Sequence, residues 1–283
     1  MVEDLRNAGA EQRQPSLIRN PLVAHTIAYA IDYWKMGRGL SPDGHRLFRK
    51  FLVKACKGER VSISQDMPRV YQGASLSVEI EGQENIPSYG PTILVANHTH
   101  GGPMDGIAQF FSMAKEGYDA RTDEQDEEVR EPFLIMGRGL EKGRLLQFIS
   151  TKIYENAFGP SLNCEIVAIP QFDEEGEIIN GQNLKISTVR RIINGASLWL
   201  PQGTHRASND LDFPEKSTEF LKMVNKVASI KDLYIKLVPV RSIPDSQGNI
   251  KLIFGPSVES SHIVANGGIK YFVREHLAPL GRH

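Results

Sequence analysis

From about residue 70 onward the chain alternates short apolar runs with stretches of helical periodicity, and this alternation leaves few architectures open. Leu76, Val78 and Ile80 alternate with Ser77, Glu79 and Glu81, the period-two pattern of a half-buried strand. Apolar runs of strand length follow at 92–97, 133–136, 165–169, 197–200 and 235–241. Helical spacing occupies 104–116, 141–155, 183–194, 216–228 and 265–277. Such alternation predicts parallel strands joined by helices that cover the faces of the sheet. Asp245-Ser246-Gln247-Gly248 reads as a turn between two late strands. The expected fold class is therefore α/β, with a mixed, largely parallel sheet flanked by helices and preceded by an N-terminal helical segment. The acidic stretch 119–131 reads as a solvated loop.

Before this pattern the composition differs. Residues 1–16 read as a disordered tail, 17–65 as a helical segment and 66–283 as the α/β domain. A first helix is expected from about Leu17 to Met36, then a break at Gly37, Gly39, Ser41 and Pro42. In a second helix Leu47, Phe48, Phe51, Leu52, Ala55 and Cys56 recur at helical spacing, and Arg46, Arg49, Lys50, Lys54 and Lys57 form the other face. Across 35–60, with Lys35, Arg38 and Arg60, basic residues far outnumber Asp43 and Glu59, while the whole chain carries −1. A basic amphipathic helix of this kind can lie on anionic lipid, and Tyr29, Tyr33 and Trp34 are candidate interfacial anchors or bundle-packing residues.

The near-zero net charge argues against general nucleic-acid binding. Cys56 and Cys164 make neither a disulfide framework nor a metal clip, which fits a reducing compartment. No apolar run approaches the roughly 18 residues that a membrane span needs, and the polar start lacks the order of a secretory signal. A cytoplasmic location, with peripheral membrane contact, is the expectation.

The segment TILVANHTHGGPMDGIAQFF carries the most chemistry. A buried strand should end near Ala96, Gly101-Gly102 should turn the chain, and Pro103 suits a first helical turn. His100 then lies just past a strand end and Asp105 in the first turn of a helix, where the dipole favours a carboxylate. Ligands of open α/β sheets gather outside the carboxyl ends of strands. A His and an Asp held there suit a general base and its orienting partner.

Further blocks follow in order: Met136-Gly137-Arg138-Gly139-Leu140, then Leu198-Trp199-Leu200-Pro201-Gln202-Gly203-Thr204-His205-Arg206, then Leu237-Val238-Pro239-Val240-Arg241. With Asn97-His98-Thr99-His100-Gly101-Gly102-Pro103-Met104-Asp105, the series resembles the glycerolipid acyltransferases, which include lysophosphatidate acyltransferases and soluble plastid-type glycerol-3-phosphate acyltransferases. Several departures stand out. The family's Asn precedes His98, whereas only His100 has the x4 spacing to Asp105; Gln202 replaces the family's Glu; His205 takes the usual Arg place, with Arg206 next. The resemblance implies transfer of a fatty acyl group from acyl-CoA or acyl carrier protein to glycerol 3-phosphate or a lysophospholipid. His100 would be the base, with His98 the alternative. It also implies phosphate contacts from Arg138 and Arg206 beside Gly203, Thr204 and His205, no cofactor, and a cytoplasmic or stromal-type compartment. The basic segment 35–60 could equally dock an acidic carrier protein.

Two rivals belong to other classes. His98-x-His100 with a nearby Asp partly matches a zinc-hydrolase HxHxDH pattern, but the carboxylate falls five residues after His100 instead of two, and His25, His45, His205, His262, His276 and His283 show no ligand spacing. A catalytically degenerate lipid-binding protein would fit Gln202 and the displaced histidine.

Overall fold

The computed structural model describes residues 20–32, 41–57, 59, 69, 77–87, 90–97, 192–193, 196–200, 211–215, 217–247 and 249–281, together with the backbone of 133–137 and 164–167. Among these, the chain begins with two helices, α1 (Pro21–Ile31) and α2 (Pro42–Cys56). Each starts on a polar cap followed by proline. The Asn20 side chain accepts from Leu22 N at 3.0 Å, and Ser41 Oγ accepts from Gly44 N at 3.1 Å. Such caps satisfy backbone donors that the helix itself cannot, and proline loses nothing at the first helical position. α1 therefore starts at Pro21, directly after its cap; residues 17–19 of the helix expected from Leu17 lie outside the described residues.

Eight strands follow among the described residues: β1 (Val78–Glu81), β2 (Thr92–Ala96), β3 (Phe133–Gly137), β4 (Cys164–Val167), β5 (Ala196–Leu200), β6 (Lys236–Pro244), β7 (Ile250–Phe254) and β8 (Val258–Glu259). They form one sheet in the order β1-β7-β6-β2-β5-β3-β4, with β8 also on β6. β6, β2, β5, β3 and β4 run one way; β7 is antiparallel to β6, and β1 is parallel to β7. This is the expected mixed, largely parallel α/β sheet, and each expected strand is present within three residues at each end. The expected turn joins β6 to β7: Asp245 N donates to Asn249 O, and the Asp245 carboxylate accepts from Gln247 N and Asn249 N.

β2 is buried along its whole length, as its apolar run Ile93-Leu94-Val95-Ala96 requires of a central parallel strand. One face of the sheet, carrying Ile93, Val95, Trp199 and Leu237, packs on α3 (Ser217–Ser229), α4 (Ser260–Ala265), α5 (Gly268–Phe272) and the π-helical turn Val273–Leu277. α3 presents Phe220, Leu221, Val224 and Ala228 at helical spacing, and the Trp199 and Phe220 rings meet with centroids 4.6 Å apart. The larger of these, Phe220, Leu221 and Val224, each contribute about 1.5–3 kcal/mol by leaving water.

The helix expected over 265–277 is instead broken. Gly267 and Gly268 both have positive φ, and a Cβ on Gly268 would lie 2.3 Å from the Thr218 side chain. Thr218 Oγ1 accepts from Ile269 N at 3.0 Å, so the glycine admits a close approach that ties α5 to α3. Of the helix expected over 183–194, Ile192 and Ile193 are described; both are helical and buried. The tail 1–16, the helices expected at 104–116 and 141–155, and the acidic stretch 119–131 lie outside the described residues.

Candidate active-site edge of the sheet

The three segments singled out for chemistry follow three neighbouring strands. Val95 of β2 is level with Trp199 of β5, and Leu200 of β5 is level with Met136 of β3. On the other side Ala96 pairs with Val240 of β6. β6, β2, β5 and β3 are parallel, so their carboxyl ends face one edge of the sheet. Adjacent strands are about 4.8 Å apart, so the exits of β2, β5 and β3 fall within about 10 Å.

The candidate residues themselves, His98, His100, Asp105, Arg138, Gly203, Thr204, His205 and Arg206, lie outside the described residues. The strand ends that launch them are described: Asn97 directly before His98, Gly137 directly before Arg138, and Leu200 six residues before Arg206.

At the β2 exit one residue has a role the sequence did not announce. Asn97 is fully buried. Its Nδ2 donates to Ser242 O at 3.0 Å, and Ser242 N donates to its Oδ1 at 2.7 Å. A carboxamide carries a donor and an acceptor spaced like those of a peptide. The side chain thus adds one rung to the β2–β6 ladder after the Cα pairing ends at Ala96 and Val240. The available signal was a polar amide directly after the apolar run Ile93-Leu94-Val95-Ala96, since a buried amide needs partners.

Pro239 of the fourth block sits inside β6, level with Val95. A central strand normally rejects proline because it lacks a ladder donor. Here Pro239 O accepts from Gly255 N at 2.9 Å, so the nitrogen faces the same neighbour, where pairing of β6 passes from β7 to β8. The missing donor falls at the break between those two strands, and the β2 side of β6 remains intact.

A cavity of about 570 Å³ lies at the other end of the strands, beside the start of β6, among Lys222, Lys226, Tyr234, Ile235 and Ser261. It is remote from the edge described above. Among the described residues no group of three or more His, Cys, Asp or Glu side chains is placed to hold a metal ion, and no helix is long and apolar enough to cross a membrane.

No protein-family model matches the chain, and no curated protein matches it. Among solved structures the chain is similar to the crystal structure of the 1-acyl-sn-glycerophosphate (LPA) acyltransferase PlsC from Thermotoga maritima. The two are 18% identical, the match covers 90% of this chain and 92% of that one, and the TM-score is 0.43.

Proposed function

We propose that the protein is an acyltransferase that moves a fatty acyl group from an acyl thioester to the hydroxyl of glycerol 3-phosphate or a lysophospholipid. The observation that carries this reading is the strand order. Three motif-bearing segments, distant in sequence, follow adjacent parallel strands that end at one edge. Ligands of α/β sheets bind at such edges.

In this reading His100 takes the proton from the acceptor hydroxyl, whose oxygen attacks the thioester carbonyl carbon. The tetrahedral intermediate collapses, the C–S bond breaks, and the thiolate leaves with the proton from the imidazolium. Asp105 holds the imidazole tautomer and stabilises its charged form. Arg138 and Arg206, with Gly203, Thr204 and His205, receive the acceptor phosphate, a geometry that guanidinium groups suit. The donor is acyl-CoA or acyl carrier protein.

The N-terminal helices supply a peripheral contact with anionic membrane through 35–60. Arg46 of α2 is 77% exposed, and α1 exposes Leu22 at 78% and Tyr29 at 57%.

The test is a panel of radiolabelled acyl-CoA and acyl carrier protein against glycerol 3-phosphate and lysophosphatidate, with wild type, His100→Ala, His98→Ala and Asp105→Asn. The expected result is acyl ester formation that falls by roughly 10²–10⁴ on loss of the base. Absence of transfer from every donor, or full activity in both histidine variants, overturns the reading.

A further inference from the structure

We propose that Asn97 is a positioning residue of the acyl-transfer site, fixing the point at which the His98–Asp105 segment leaves the sheet. This rests on the functional reading above and adds to it a residue that does not touch substrate.

The main chain of β2 keeps its Cα register with β6 through Ala96 and Val240. β6 continues to Pro244. Along β6 the polar groups of alternate residues face opposite neighbours. Those of Pro239 face Gly255, so those of Ser242 face the β2 side. There they meet the Asn97 carboxamide, which answers the Ser242 N–H with an oxygen and the Ser242 carbonyl with an N–H.

Few side chains can replace it. Alanine would leave both Ser242 groups without this partner in a buried site. Leucine would match the volume and satisfy neither group. An ionised aspartate would accept from Ser242 N but set a negative charge against Ser242 O. Both ends of Asn97 are therefore held: the main chain by β2, and the amide by β6. The next residue of the chain is His98 and the third is His100. A reacting group displaced by about 1 Å can lose on the order of 100-fold in rate, so a fixed origin for this segment matters to the reaction more than to the fold.

The experiment uses the full chain. Amide exchange at Ser242 is measured in wild type and Asn97→Ala, and steady-state kinetics are measured for wild type, Asn97→Ala and Asn97→Asp between pH 6 and 8. In wild type the Ser242 amide should exchange slowly, and in Asn97→Ala it should lose that protection. The kcat of Asn97→Ala should fall about 10- to 100-fold while both KM values stay within about threefold.

Asn97→Asp gives a signature that loss of packing would not. The neutral acid can donate to Ser242 O and accept from Ser242 N, as the amide does, and burial beside a carbonyl favours that neutral form. The ratio of its kcat to that of wild type should therefore rise as pH falls. Unprotected exchange at Ser242 in wild type, an Asn97→Ala kcat within twofold of wild type, or a flat Asn97→Asp ratio overturns the proposal. A wild type that transfers no acyl group overturns the functional reading beneath it, and slow exchange at Ser242 tells that outcome apart from failure of the clamp.

Discussion

Asp32, at the end of α1, and His45, near the start of α2, meet through Oδ1 and Nδ1 at 2.7 Å. The other carboxylate oxygen of Asp32 is 2.6 Å from Arg49 Nε, and the Arg49 guanidinium lies 4.4 Å from the centre of the Tyr29 ring. Asp32 is 3% exposed, so among the described residues both of its oxygens rely on these two partners. Arg49, expected on the solvated basic face of α2, is instead turned inward to close the helix pair.

Replacing Asp32 with Ala should therefore loosen α1 from α2. Removing one member of a fully buried pair costs about 3–5 kcal/mol. The His45 and Arg49 side chains keep 29% and 31% exposure and can rehydrate, so a loss of about 1–2 kcal/mol is expected. Chemical denaturation followed by far-UV dichroism checks this, and a midpoint equal to wild type would show that the contact does not hold the helices.

Gly268 offers a second stability test. Its φ of +67° and the nearness of Thr218 both oppose a side chain. Gly268→Ala should cost about 2–4 kcal/mol, combining left-handed strain with overpacking. The double variant with Thr218→Ser, which removes the γ-methyl while keeping the hydroxyl that bonds Ile269 N, should recover part of that loss. Denaturation midpoints of the two variants measure the recovery.

How far the molecule could be read from its residues follows from the range of the contacts involved. β2 and β5 were legible because buried central strands carry near-continuous apolar runs, here Ile93-Leu94-Val95-Ala96 and Leu198-Trp199-Leu200, and α3 because its core residues recur every three or four positions. The break at Gly267 and Gly268 was hidden by continuing apolar periodicity through Ile269, Phe272 and Val273. The order of the strands, with β6 seated between β2 and β7, depends on pairings more than 100 residues apart for β2 and β6, and local pattern carries no trace of them. Asn97 with Ser242 is equally distant in sequence, whereas Asp32 meets His45 and Arg49 across two helices, a contact that the periodicity of neither helix announces. The motif residues stood out in the sequence by type and spacing, whereas the described structure contains the strand ends that launch them.

His276 makes stability depend on pH. Burial holds its imidazole below the usual histidine pKa of 6.5, against the opposing pull of Glu275, and Nε2 is buried without a hydrogen-bond partner among the described residues. The unfolded chain therefore binds a proton that the folded chain resists. This contribution to stability is complete above about pH 6.5 and is lost as pH falls toward the lowered folded value. His276→Phe should remove that component, since its ring neighbours Tyr271 and Phe272 accept an aromatic side chain. The difference in unfolding free energy between variant and wild type, followed from pH 7.5 to 5, should shift in favour of the variant; a constant difference would contradict the assignment.

Cys56 should be chemically silent in the native protein. It is fully buried on α2, and burial pushes its thiol pKa up to about 11. At pH 8 only about one molecule in a thousand carries the reactive thiolate. In a Cys164→Ser background, a disulfide-exchange reagent should react with Cys56 only at the rate of unfolding, and fully in denaturant. Rapid stoichiometric labelling of the folded protein would mean that α2 opens far more readily than its packing allows.

The last prediction concerns the exposed side of the two helices. Leu22 and Val23 give α1 an exposed apolar surface, and Arg46 and Lys50 give α2 exposed positive charge. Each basic residue near an anionic membrane contributes about 1 kcal/mol. Reversing Arg46 and Lys50 to Glu replaces two attractions with two repulsions, so partitioning onto anionic vesicles at low salt should fall by roughly 100-fold or more. Leu22→Ser should instead weaken binding to anionic and neutral vesicles alike, because it removes apolar burial and no charge. Co-sedimentation with vesicles of phosphatidylcholine alone and with added phosphatidylglycerol separates the two terms. Equal binding of wild type to both, unaffected by the charge reversals, would leave the basic helix without a role at a lipid surface.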